Sequence, residues 1–337
     1  MSPLAEALAA SPELFPAALD INSGAVTLWH LTEADYGQES FLDGRIAAGR
    51  AARPIAFSEL AQAIEDARLP ESCDFIFHIG HVGSTLLSRL LGKHAALFCL
   101  REPDILRMLA ACPNNLRAHY LPVFLKLWSR CFDPAAHAVL KTTSFVGEIA
   151  VELLSRPYKP RALAMGVPPE IYLATIFGGA NAPAEAYALA PFRLSRLNCR
   201  LGTNWHLADL GAGEIVAMGW VCETLCLAEA ARIAEGRVLV LDFDTFFGNS
   251  HQTLRAAFSH FDVHPTESEI SEILAGAEMR SYSKAPEHPY DAQMRRAVLA
   301  EGRVHRASEI RQGLRWLERG AGEHSAIANT LSLFKPA

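Results

Sequence analysis

The sequence predicts an α/β fold with a mostly parallel sheet flanked by helices. From Asp74 onward, short apolar runs alternate with longer amphipathic stretches, which is the rhythm of strand–helix–strand units. The strongest runs, Phe75-Ile76-Phe77-His78-Ile79 and Val238-Leu239-Val240-Leu241, are apolar almost throughout rather than alternating, as strands buried on both faces are. The chain has 337 residues, half of them apolar and a fifth charged, which supports a sizeable core and excludes a disordered chain.

The elements follow in order. Residues 1–72 form an N-terminal extension expected to pack on the core, with a strand-like run at 25–31 and a helical stretch at 57–67; Pro70 then punctuates the chain. Residues 73–337 are the expected α/β domain, ending in a helical region. Its strands are predicted at 75–79, 97–100, 138–140, 161–167 and 237–241, and its helices at 84–91, from 104, at 118–131, near 145–154, from 169, at 214–234, 252–261, 268–277 and 291–319. Right-handed crossovers place the carboxyl ends of such strands, and the ligand cleft, along one edge. Residues 178–213 break the rhythm. Arg193, Arg196 and Arg200 lie three and four apart, so a helix presents them on one face, either to solvent or as a basic wall over the cleft.

Formal net charge is -6, from 31 basic and 37 acidic residues, so no global basic field points to nucleic acid as a partner. The 7 cysteines are an odd number in a long chain, which argues against a disulfide scaffold. Cys222 and Cys226 lack the further ligands of a zinc site and read as small core residues, and no metal site is expected. No stretch reads as a secretory signal or a bilayer span, so a cytoplasmic protein without a membrane partner is expected.

The segment that carries chemistry is strand, glycine-bracketed turn and helix: Phe77-His78-Ile79-Gly80-His81-Val82-Gly83-Ser84-Thr85-Leu86-Leu87. Gly80 and Gly83 allow a tight turn and a close ligand approach. The first N–H groups of the helix have no intrahelical partner and point into the turn, where Ser84 and Thr85 add hydroxyls. This is a phosphate cradle, but not a Walker A loop, which needs four residues between its glycines and a lysine before the Ser/Thr. The same residues also fit an ordinary strand-to-helix turn with a serine cap.

The turn resembles the 5'-phosphosulfate loop of sulfotransferases, and the resemblance covers about residues 74–300. Leu100-Arg101-Glu102-Pro103 stands where tyrosylprotein-type members carry an acidic residue, and Val139-Leu140-Lys141-Thr142-Thr143 looks like the family strand that ends in a catalytic lysine. Val167-Pro168-Pro169, with Thr175 eight residues after Val167, sits where the family has Arg, then Asp-Pro, then Ser. Met279-Arg280-Ser281-Tyr282-Ser283-Lys284 resembles the loop that closes over the nucleotide. Two departures stand out: His81 replaces the cation that opens the loop, and Val167 replaces the arginine for the 3'-phosphate. Either Arg280, Lys284, Arg295 or an arginine of the 193–200 stretch supplies that charge, or the ligand is not the family's usual donor.

The resemblance implies a P-loop NTPase-like sulfotransferase architecture and an enzyme that moves a sulfuryl group from 3'-phosphoadenosine 5'-phosphosulfate, its co-substrate, to a hydroxyl or amine of a small-molecule, glycan or peptide acceptor, with no metal required. It implies that Gly80, His81, Val82, Gly83, Ser84, Thr85, Thr175, Arg280 and Lys284 bind the nucleotide. Lys141 neutralises the bridging oxygen, Glu102 takes the acceptor proton and His81 faces the transferring group. His78 points away from the loop by strand alternation and reads as structural. Asp242-Phe243-Asp244, after the last strand, leaves open a magnesium-dependent kinase or hydrolase of P-loop type, with Asp244 otherwise a cap for the turn that follows. A non-catalytic binding protein on the same fold is the third possibility.

Overall fold

The computed structural model describes residues 1–282, 285–289 and 291–334. The N-terminal region contains α1 (Pro3–Ala10), β1 (Leu14–Asp20), β2 (Ala25–His30), α2 (Glu33–Gln38), β3 (Ala52–Ala56) and α3 (Phe57–Asp66), with β1, β2 and β3 in an antiparallel sheet in that order. β2 and α3 match the expected run and helix. β1 and β3 are not among the expected strands: β1 is apolar but holds Pro16 and two alanines, which are poor strand formers, and β3 is exposed at four of its five positions.

The main sheet is parallel and five-stranded, as expected, with the order β5-β6-β4-β7-β8. Its strands are β4 (Asp74–His78), β5 (Leu97–Arg101), β6 (His137–Lys141), β7 (Ala162–Gly166) and β8 (Val238–Asp242). Every residue of β4 and of β7 is buried, so both faces of the sheet are covered. The helices are α4 (Ser84–Leu91), α5 (Asp104–Ala111), α6 (Asn114–Trp128), α7 (Ala150–Leu154), α8 (Pro169–Gly178), α9 (Ala182–Leu201), α10 (Ala212–Ile233), α11 (Phe243–Gly248), α12 (Ser250–His260), α13 (Glu267–Ala275), α14 (Ala292–His305), α15 (Ala307–Glu323) and α16 (Ser325–Thr330). The helix expected over 291–319 is broken at Arg306, which separates α14 from α15. The irregular stretch expected at 178–213 is mostly the single helix α9. None of the described helices is long and apolar enough to cross a membrane.

β4 is central, and the chain leaves it for β5 and β6 on one side before crossing to β7 and β8 on the other. The switch point, where ligands bind in open α/β sheets, therefore lies at the carboxyl end of β4. Register puts Ile76 beside Lys141, Lys141 beside Arg101, and Gly166 beside Asp242, so the candidate residues gather along one edge.

Two features fix the outer parts. Arg130, after α6, donates to the carbonyls of Ser11 at 2.8 Å and Leu14 at 2.7 Å, tying the N-terminal region to the sheet domain. Burial pulls its guanidinium down to about 10. At the other end, glycines let helices touch backbone to backbone: Gly213 meets Gly313 where α10 crosses α15, and Gly302 meets the Ala174 carbonyl where α14 crosses α8.

A Cβ on Gly313 falls 2.4 Å from Leu173 Cδ2 and 2.5 Å from the Gly213 carbonyl oxygen. Gly313→Ala is expected to force α10 and α15 apart and lower stability by about 1–3 kcal/mol. Urea denaturation measures this, and a midpoint equal to wild type contradicts the backbone contact.

Candidate active site

The turn after β4 has the backbone of an anion cradle. Gly80 (φ 88°), His81 (φ 56°) and Gly83 (φ 67°) are left-handed. His81 does this with a side chain, which is uncommon and clusters at functional sites. Gly83 is the N-cap of α4, and a Cβ there falls 1.9 Å from the Phe243 ring, so only glycine fits. Ser84 and Thr85 are buried in the first turn. Thr85 is 2% exposed, and its Oγ1 has no hydrogen-bond partner among the described residues. A buried hydroxyl of this kind costs free energy until something meets it.

His78 holds the turn. Its Nδ1 accepts from the Gly80 N–H at 3.0 Å, which leaves Nε2 to donate to the Thr142 carbonyl at 2.8 Å. His78 does not point away from the loop, as strand alternation predicts: at the end of the strand its ring bonds both to Gly80 of the turn and to Thr142 after the neighbouring strand. Its structural role stands.

Lys141 and Glu102 meet at the neighbouring strand ends. The Lys141 ammonium is 0% exposed, and its Nζ donates to Glu102 Oε1. Glu102 is left-handed (φ 51°), and its backbone N–H donates to the Lys141 carbonyl at 2.7 Å. Residues of the N-terminal region roof this pair. The Phe41 ring centroid lies 5.9 Å from Lys141 Nζ and 3.4 Å from Arg45 Cζ. The segment before Phe41 is pinned from below: Arg89 donates to the Gln38 carbonyl at 2.7 Å and to Ser40 Oγ at 2.9 Å, and Arg101 donates to the carbonyls of Tyr36 and Glu39. Burial pulls Arg101 down to about 10. This N-terminal contribution carried no motif and went unread.

On the other side of the turn, His81 Nε2 lies 3.2 Å from Glu185 Oε2 of α9. Gly80, His81, Ser144, Tyr172, Glu185 and Arg193 line a crevice there of about 10 Å³, the size of one water. Arg193, Arg196 and Arg200 are neither a solvated face nor a free basic wall. Arg193 Nε donates to Glu223 Oε1 at 2.9 Å, while Arg196 and Arg200 pair with Glu148 at 2.6 and 3.4 Å. Burial works against the Arg193 charge, but the Glu223 carboxylate outweighs it and holds the guanidinium above its usual range.

Two of the other nucleotide candidates are engaged elsewhere. Thr175 Oγ1 donates to the Ile171 carbonyl of its own helix at 2.7 Å. Arg280 is exposed and donates to the Ala275 carbonyl at 3.3 Å, beside the carboxyl-terminal end of α4, where Glu278 meets Lys93 at 2.5 Å. Lys284 lies outside the described residues. Val167 is fully buried, and its carbonyl accepts from Trp220 Nε1 at 3.0 Å.

At the end of β8, Asp242 caps α11 by accepting from the Thr245 N–H at 2.7 Å, and burial raises its carboxyl. Asp244, expected to cap that turn, instead accepts from Arg295 Nε. Arg295 is one of the cations expected to offset the missing arginine at Val167. The structure places it beside Phe243, 4.7 Å from the ring centroid to Cζ.

No family model and no curated protein matches the sequence. Solved structures similar to the chain include three sulfotransferases. A sulfotransferase domain from the curacin biosynthetic pathway is 13% identical, with 74% of this chain and 98% of that one covered and a TM-score of 0.41. A sulfotransferase of Mycobacterium avium is 12% identical over 72% and 80% of the two chains, TM-score 0.41. A mouse sulfotransferase solved in complex with PAP is 13% identical over 77% and 88%, TM-score 0.41.

The buried pair makes a prediction about stability. Lys141→Met and Glu102→Gln each leave one charged or polar group without its partner, and each is expected to destabilise the fold by about 3 kcal/mol. The double variant is expected to lose much less than the sum. Denaturant titration of all four proteins measures the coupling, and additive losses contradict a direct pair.

Proposed function

We propose that the protein is a sulfotransferase that moves a sulfuryl group from 3'-phosphoadenosine 5'-phosphosulfate to an acceptor hydroxyl or amine. The observation that carries this reading is the Thr85 hydroxyl, buried and without a partner among the described residues, in the first turn of α4. The left-handed backbone of Gly80, His81 and Gly83 bends the chain around the same point. Donors converging there suit one tetrahedral oxyanion.

The donor nucleotide supplies the sulfonate and a phosphate leaving group. The N–H groups of residues 82–85 and the Thr85 hydroxyl hold the 5'-phosphate. Lys141 faces the oxygen on which charge builds as the donor bond breaks. Glu102 accepts the proton of the attacking hydroxyl or amine. Their contact across adjacent strand ends sets base and cation at a fixed separation, as positioning catalysis requires. His81, turned outward by its left-handed backbone and met by Glu185, faces the transferring group. The roof of Phe41 and Arg45 over the pair forms one wall of the acceptor subsite.

A second reading has one observation in its favour. Asp242 Oδ2 is buried without a hydrogen-bond partner among the described residues, at a strand end beside the loop, which is where a P-loop kinase or hydrolase places a magnesium-binding carboxylate.

Calorimetric titration with adenosine 3',5'-bisphosphate, beside ATP with magnesium, separates the readings. Binding of the bisphosphate is expected. Binding of ATP with magnesium alone moves the function to phosphoryl chemistry, and binding of neither leaves a non-catalytic protein. With an acceptor in hand, Glu102→Gln is expected to lower kcat about 10²–10⁴-fold with little change in bisphosphate affinity. Loss of bisphosphate affinity with unchanged kcat removes Glu102 from the role of base.

A further inference from the structure

A 3'-phosphate carries close to two charges and calls for a guanidinium, and the position where one is expected is the buried Val167. The arginines of α9 are committed to Glu148 and Glu223. Arg280 is exposed and bonded to a helix-end carbonyl.

Arg196 Nη1 is buried without a hydrogen bond among the described residues, but it lies 3.5 Å from Glu223 Oε1. Arg295 differs in packing against the ring that seats on the α4 loop. It is 4% exposed, in the first turn of α14. Its Nε donates to Asp244 Oδ1, which fixes the plane of the fork. Its guanidinium packs over Phe243, the ring that seats on Gly83 at the mouth of the loop. Its Nη2 is buried with no hydrogen-bond partner among the described residues. A buried arginine with an unmet N–H is costly, because the desolvation of that donor is not returned. One planar ring thus separates two groups of unmet donors: those of the α4 loop, with Thr85, and that of Arg295.

We infer that Arg295 binds the 3'-phosphate of the nucleotide whose 5'-phosphate sits in the α4 loop. Asp244 is the positioning residue that holds the guanidinium fork, and Phe243 spaces the two anion sites. This rests on the reading of the α4 loop as the donor site. It differs in placing the cation on α14 rather than at the start of α8.

The test is calorimetric titration of wild type, Arg295→Ala and Arg295→Lys with adenosine 3',5'-bisphosphate and with adenosine 5'-monophosphate. Wild type is expected to prefer the bisphosphate. Arg295→Ala is expected to weaken the bisphosphate about 10- to 100-fold and leave the monophosphate unchanged, erasing the preference. Arg295→Lys keeps the charge but not the fork, and is expected to fall between. An equal loss for both nucleotides, or no loss for either, overturns the inference while the loop reading survives. Failure of wild type to bind either nucleotide overturns the loop reading, and the inference with it. If the alanine variant does not fold, Arg295→Lys and Asp244→Asn carry the same comparison, and a preference unchanged in both overturns the inference.

Discussion

An ammonium group with no access to water cannot stand alone, and the Lys141 side chain has none. Much of the cleft can be understood as the answer to that constraint. Glu102 supplies the opposite charge, and to reach it the chain leaves β5 in a left-handed conformation that costs about 1–2 kcal/mol for a residue with a Cβ. An unpaired buried charge costs several kcal/mol, so the strained backbone is the cheaper arrangement. The same departure from β5 returns the Glu102 N–H to the Lys141 carbonyl, so the ion pair and the last rung of the ladder fix each other. Phe41 closes the space above.

Several cations around the cleft have a carboxylate beside them: Lys141 has Glu102, His81 has Glu185, Arg295 has Asp244, and the α9 arginines have Glu148 and Glu223, while Arg89 and Arg101 meet backbone carbonyls. This is how a chain of net charge -6 holds several positive groups at one sheet edge without a basic surface. The orphaned donors are therefore more informative than the charges. Among the described residues, Thr85 Oγ1 and Arg295 Nη2 flank the Phe243 ring and belong to a longer series of unmet buried groups that includes Ser88 Oγ, Thr143 Oγ1, Arg196 Nη1 and Asp242 Oδ2.

The sheet and its loop were legible because their signals are local. A strand buried on both faces is apolar along its whole length, and a turn with left-handed positions asks for glycine. Glu102 and Lys141 could be singled out by their places at strand ends, though not their contact, which depends on register between strands 39 residues apart in sequence. The spacing of Arg193, Arg196 and Arg200 does place them on one helical face, but their partners lie on α10 and in the turn before α7, where no periodicity points. His78 was misdirected because the period-2 rule describes a strand interior, and this residue ends the strand. β1 was illegible because proline and alanine interrupt its apolar run, β3 because it is mostly exposed, and the roof because the arginines that hold the segment before Phe41 lie far along the chain.

Three arginines that hold the N-terminal region, Arg89, Arg101 and Arg130, follow it in the chain. Residues 8–40 pair among themselves through β1, β2 and the Tyr36–Pro12 hydrogen bond, but leave the ribosome before these three arginines exist and before β4 or β6 can form. The carbonyls those arginines meet wait through that interval, and the roof over Lys141 can be laid only after about a hundred further residues have emerged. The cleft is therefore completed by a segment that has waited for the sheet beneath it.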